Sequence, residues 1–132
     1  MLLITTNLGV FGVDTSLRDV GFVNKYMIET NGQNFEVTFT ANFGVSSHTF
    51  STDDKMLQFN VNAIHEKENV AEIIIPQDLF DGELTVLLNS KEISAAVNET
   101  ERSSVISLVF DGKGDYTIGI TTMDKYLSLI HI

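Results

Sequence analysis

The sequence predicts an all-β protein: an antiparallel β-sandwich of immunoglobulin-like architecture with seven to eight strands. Three observations predict it. Apolar and polar residues alternate with period two in several segments, as in strands that bury one face. Turn signals such as Asn31-Gly32, Asp81-Gly82 and Asp111-Gly112-Lys113-Gly114-Asp115 separate those segments, at the spacing of roughly ten residues typical of sandwiches. No segment sustains a helical period.

The most informative stretch runs from Ile73 to Asn89. Ile73-Ile74-Ile75 is β-branched at every position and favours an extended, buried strand. Pro76 lacks a backbone donor, so pairing should stop there. Leu79 and Phe80 are expected to fold back as an apolar plug over the end of the core. Asp81-Gly82 turns the chain, and Leu84, Val86 and Leu88 restart a period-two strand facing inward.

The other elements follow from the same reasoning. Phe22 to Thr30 reads as a strand closed by the hairpin dipeptide Asn31-Gly32. Phe35, Val37 and Phe39 then face in, while Glu36, Thr38 and Thr40 face out. Asn42 to Asp54 is rich in Ser and Thr and reads as a polar connection anchored by Phe43, Val45 and Phe50. Leu57, Phe59, Val61 and Ala63 point inward from the next strand, and His65 to Asn69 forms a charged turn. Asn89-Ser90-Lys91 makes a tight hairpin into Ile93, Ala95 and Val97. Asn98 to Ser103 reads as a loop. Ile106, Leu108 and Phe110 line a further strand, and Tyr116, Ile118 and Ile120 line the last. The expected core is Phe39, Phe59, Val61, Ile73, Ile75, Val86, Leu88, Ile106, Leu108 and Ile118.

Composition sets the outer limits. A chain of 132 residues with 43% hydrophobic content and one proline suits a single ordered domain. It has no cysteine, which excludes disulfides and thiolate metal sites. The formal charge is −10 with only 8 Lys plus Arg, too few for a basic patch that would hold nucleic acid or an anionic membrane. No apolar run reaches the roughly 18 residues of a membrane span. Met1-Leu2-Leu3-Ile4 lacks the basic start and the length of a signal peptide.

The chemistry-bearing residues are sparse. Asp111-Gly112-Lys113-Gly114-Asp115 resembles a calcium loop in composition, but Lys113 stands where a further oxygen ligand is wanted. It reads as a hairpin turn. Asp53, Asp54, Asp78 and Asp81 sit at strand ends, and a weak calcium site between loops stays open as an alternative; no other cofactor is expected. His48 and His65 lie in separate segments without cysteine, a poor zinc or copper set, and both are expected to face solvent. Gly44-Val45-Ser46-Ser47-His48 does not match the nucleophile elbow of a serine hydrolase. No catalytic, cofactor-binding or metal residues are assigned. Asn98-Glu99-Thr100 is the single Asn-x-Ser/Thr triplet, and in an extracellular protein Asn98 would be the glycan acceptor.

Taken together, Ile73-Ile74-Ile75-Pro76-Gln77-Asp78-Leu79, Leu84-Thr85-Val86-Leu87-Leu88-Asn89, Ser104 to Leu108 and Tyr116-Thr117-Ile118-Gly119-Ile120 resemble a known domain. It is the C-terminal β-domain of archaeal cell-surface proteins that carry a Pro-Glu-Phe-Gly-type sorting signal. The resemblance covers about residues 22–122. Asn89-Ser90 stands where that family has Asp-Gly, and Thr121-Thr122 where it has Gly-Thr. It implies no enzymatic residues. It implies a non-catalytic module of a secreted or surface-anchored protein, serving envelope structure or adhesion, with neighbouring surface-protein domains or glycans as partners. The alternative is a carbohydrate- or other ligand-binding sandwich, which would need exposed aromatics; Tyr26, Phe43, Phe50 and Tyr116 are the candidates.

The chain ends carry a separate expectation. Residues 1–20 read as loop, with a short strand over Leu2 to Thr6, or as the remnant of a preceding segment. Ile4-Thr5-Thr6 recurs as Ile120-Thr121-Thr122, which either a tandem copy or a Thr-rich β-protein would produce. Residues 123–132 read as a tail. Leu127-Ser128-Leu129-Ile130-His131-Ile132 is what CTG-TCT-CTT-ATA-CAC-ATC encodes, the transposon end joined to DNA in sequencing libraries. The expectation is a fragment whose coding sequence stops near Tyr126, where the resembling family places a linker, a membrane-spanning segment and its sorting motif. The genomic locus should then diverge from Leu127 onward.

Overall fold

The computed structural model describes residues 21–122, together with Lys125 and Leu127. The expectations for residues 1–20, and those for the tail apart from Lys125 and Leu127, lie outside the described residues. Ten strands follow in order: β1 (Phe22–Thr30), β2 (Gln33–Ala41), β3 (Gly44–Ser51), β4 (Met56–Ala63), β5 (Asn69–Pro76), β6 (Leu84–Leu88), β7 (Lys91–Glu92), β8 (Ala96–Glu99), β9 (Ser103–Phe110) and β10 (Gly114–Thr122). They form two antiparallel five-stranded sheets, ordered β1-β2-β5-β9-β8 and β3-β4-β10-β6-β7. The sandwich architecture is as the sequence predicts; the strand count is higher than the seven to eight expected.

The sheets meet over alternating side chains. Phe39 of one sheet meets Phe59 of the other at 4.8 Å between ring centroids. Phe43 packs edge-on against both Phe39 and Phe110. Burying such aromatic pairs in edge-to-face contact contributes beyond their area. Leu57, Phe59, Val61 and Ala63 are all buried, and so are Ala71, Ile73 and Ile75. Nine of the ten expected core residues are buried; Leu88 is the exception. It is half-buried because β6 ends at Leu88 and its edge neighbour β7 is only two residues long. Leu87 is buried instead, on the opposite face. There Gly119 of β10 has no side chain, and a Cβ at that position would sit 3.6 Å from the Leu87 Cβ.

The stretch around Pro76 behaves as its residues dictate. Pro76 makes the last pairing of β5, with Ser103. A short 3-10 turn over Gln77–Leu79 follows, and Leu79 and Phe80 are buried as the plug. Phe80 packs edge-on against Phe50 of the facing sheet. The turn is tied to the β8–β9 connection: the Gln77 N–H donates to the Arg102 carbonyl at 2.9 Å, and its side-chain amide donates to the Thr100 carbonyl.

Two segments expected to be irregular are strands. Gly44–Ser51 is β3, an edge strand with a bulge between Val45 and Ser47. The bulge breaks the period-two phase, so Val45, His48 and Phe50 point inward at uneven spacing. Asn98, expected in a loop, lies in the edge strand β8 opposite Val105. All four residues of β8 are exposed, so it carries no burial signal.

Candidate functional site

The polar residues of the loops gather at one end of the sandwich. There the β2–β3, β4–β5 and β9–β10 connections meet around Asn69, the first residue of β5. Asn69 shares the inward phase of Ala71, Ile73 and Ile75 and is itself fully buried. A buried amide must find partners, because leaving its groups unpaired costs on the order of 1–3 kcal/mol each. Asn69 finds them in two loops. Its Nδ2 donates to the carbonyls of His65 (2.9 Å), Phe110 (3.1 Å) and Gly112 (3.1 Å). Its Oδ1 accepts from the His65 N–H at 3.1 Å.

Asn42 extends the knot to the third loop. Its Oδ1 accepts from the Val70 N–H and its Nδ2 donates to the Glu68 carbonyl. The Nε2 of His65 lies 3.0 Å from the Asn42 carbonyl. That acceptor requires a proton on Nε2. Glu68 is held in the left-handed region at φ 59°, with its N–H donating to Asp111 Oδ1 at 2.9 Å. Gly112 donates its N–H to the Glu66 carbonyl, and the Tyr116 hydroxyl donates to the Gly112 carbonyl. Asn42, His65, Asn69 and Asp111 are thus all engaged with backbone groups at this end.

The residues singled out from the sequence are distributed as follows. Asp111 accepts from Glu68, and Asp115 accepts from Asn62 Nδ2 at 2.7 Å. Asp53 and Asp54 lie in the β3–β4 connection, and Asp78 and Asp81 between β5 and β6. Both connections are at the other end of the sandwich from Asp111. Among the described residues, no three His, Cys, Asp or Glu side chains converge. His48 and His65, expected to face solvent, are both half-buried. His48 packs against Tyr26 with ring centroids 4.6 Å apart and planes tilted by 52°, bridging the edge strands β1 and β3. Burial raises the Tyr26 pKa above the ordinary tyrosine value.

The aromatic candidates for ligand stacking pack on the core, Phe43 within it and Tyr26, Phe50 and Tyr116 half-buried against it. Phe43 is fully buried, Tyr26 rests on Phe59, Phe50 on Phe80, and Tyr116 on Phe110. A groove of about 510 Å³ does lie on the outer face of the second sheet. Gly119, Met56 and Leu87 line it beside the hydroxyls and amide of Thr49, Ser51, Gln58, Ser90 and Thr117. Gly119 lies on its floor in the central strand β10, with Met56 Sδ and Leu87 packed closely over it.

Asn98 is exposed and on the outer face of the first sheet. The register places Lys25, Thr38, Ile74, Val105 and Asn98 in one cross-strand row. Asn69 and Asn42 were not apparent as structural centres from the sequence. The available signal was the phase of β5, which puts an amide on the inward side of an otherwise apolar strand. Among the described residues, no helix is long and apolar enough to cross a membrane. No protein-family model matches the chain, and no curated protein or solved structure is significantly similar to it.

Proposed function

We propose that the chain is a non-catalytic β-sandwich module of a secreted or surface-anchored protein, contributing to envelope structure or adhesion. The observation that carries this reading is the knot around Asn69. His65, Asp111, Asn42 and Asn69 each hydrogen-bond backbone groups of the adjoining loops. That arrangement favours rigidity at a sandwich end, as a load-bearing or spacing module requires. The resemblance to the archaeal surface domain supports the same reading, and the exposed Asn98 offers an acceptor suited to an extracellular setting. Protease shaving of intact cells tests it. Peptides from residues 21–122 should be released without lysis, and recovery from the soluble lysate alone would refute the surface location.

The second reading is a carbohydrate- or other ligand-binding module, favoured by the groove over Gly119. Its lining joins hydroxyls and an amide with the Asp54 carboxylate, which suits a polar ligand rich in hydroxyl donors. A glycan array decides between the two. Binding that is lost in a Gln58→Ala variant favours the ligand-binding reading, and silence across the array favours the structural one.

A further inference from the structure

The four strands at the edges of the two sheets differ in how they are protected. An unpaired edge offers free N–H and C=O groups to any strand that can lie beside it, and proteins blunt such edges with short strands, bulges or charge. β7 is two residues long, β8 is four, and β3 carries a bulge. β1 is different. It pairs with β2 over nine consecutive residues without a break in register, it contains no proline, and β2 is its partner among the described strands.

The turn fixes which groups face the free side. Asn31 and Gly32 both have positive φ, 53° and 75°, the type I′ geometry of a two-residue hairpin. In that hairpin Thr30 and Gln33 exchange hydrogen bonds, and so do the alternate pairs behind them. Thr30, Ile28, Tyr26 and Asn24 therefore spend their backbone groups on β2. Glu29, Met27, Lys25 and Val23 direct theirs to the open edge. The side chains of this second set stand on the outer face of the sheet, where Met27 is 59% and Val23 54% exposed.

We propose that β1 is a dimerisation edge, pairing antiparallel with β1 of a second copy of this chain about a two-fold axis at Met27. Lys25 of each copy then lies opposite Glu29 of the other, and Met27 meets Met27 on the axis. On the inner face Tyr26 lies opposite Ile28 of the second copy, apolar against apolar. Hydrogen bonds are exchanged at the odd-numbered positions, whose backbone groups are not used by any other described strand. The register is selective. Sliding one strand by two residues sets Met27 against a charge, and sliding by four sets Lys25 against Lys25 or Glu29 against Glu29. An odd shift would oppose outer to inner faces. Only the Met27-centred pairing joins opposite charges and apolar side chains together. The edge charges that would repel a foreign strand become complementary for the chain's own copy.

Sedimentation velocity on the intact chain from micromolar to millimolar concentration tests this. The wild type should show a monomer–dimer equilibrium. Lys25→Glu and Glu29→Lys should each weaken the dimer by roughly tenfold or more, because two exposed pairs turn repulsive. The double variant, with both changes, should restore it. Glu29→Lys reduces the net negative charge, so relief of general repulsion would strengthen association instead. The two explanations therefore predict opposite signs. The chain has no cysteine, so Met27→Cys gives a single reporter. Under oxidation it should form a disulfide dimer far faster than Val109→Cys, an equally exposed site on another strand. A monomer throughout the range overturns the proposal, as does a dimer indifferent to Lys25→Glu or a double variant that fails to recover.

Discussion

Replacing Asn69 with Ala removes the centre of the loop knot and should destabilise the fold by about 3–5 kcal/mol. The magnitude follows from what is left behind. The Gly112 carbonyl keeps the Tyr116 hydroxyl, so its loss is partly compensated. The hydrogen bonds to the His65 N–H, the His65 carbonyl and the Phe110 carbonyl are lost outright. Asn69 is 0% exposed, so water reaches the vacated groups poorly, and each costs roughly 1–1.5 kcal/mol. The isosteric Asn69→Asp variant sharpens the test. Its carboxylate would face the three carbonyl oxygens that Nδ2 now serves, which disfavours the charged form in the fold. The folded pKa is then raised above the unfolded value of about 3.9. Stability should be highest below pH ~4 and fall as pH rises through the folded pKa. Urea unfolding of both variants, followed by tryptophan-free probes such as far-UV circular dichroism, supplies the measurement. Asn62→Ala is the control: it loses one exposed hydrogen bond and should cost under about 1 kcal/mol. A cost for Asn69→Ala no greater than the control's, or no pH dependence in Asn69→Asp, would refute the account of the knot.

Phe59→Ala should cost about 3–5 kcal/mol, since Phe59 is fully buried between Phe39 and Tyr26; an unchanged denaturation midpoint would contradict the packing described. Tyr26 has a raised pKa in the fold, so its stabilising contribution is complete below the unfolded value near 10 and is lost as pH rises through the folded one. Alkaline unfolding curves of wild type and Tyr26→Phe should therefore diverge above pH ~10. Secretion through a glycosylating host should add a glycan mass that Asn98→Gln removes, and hydrogen exchange should slow at Ile74 and Val105, which share its row. Millimolar calcium should move the thermal midpoint only slightly; a rise of many degrees would reveal an interloop ion site.

Period-two alternation wrote most of the core into the sequence, because burial on one face selects apolar side chains at every second position. Phe35 to Phe39, Leu57 to Ala63 and Ile106 to Phe110 were legible for that reason. The plug at Leu79-Phe80 was legible because Pro76 must end its strand. What escaped has its own physical causes. The bulge in β3 shifts the inward set from Val45 to His48 and Phe50, so no fixed period describes the segment. β8 is held by backbone bonds to β9 while all its side chains remain in solvent, and backbone pairing leaves no trace in residue choice. Leu87 is buried because Gly119, a distant residue of β10, leaves room for it on the outer face, while Leu88 is half-buried because β6 ends there beside the two-residue β7. The groove over that glycine and the partners of Asn69 depend on which strands become neighbours. Local sequence determined that these residues would form strands and which face most of them would bury. The order of the strands in the two sheets, and with it the knot, the groove and the free edge of β1, was decided by tertiary packing, because hydrogen-bonded neighbours are chosen among distant segments.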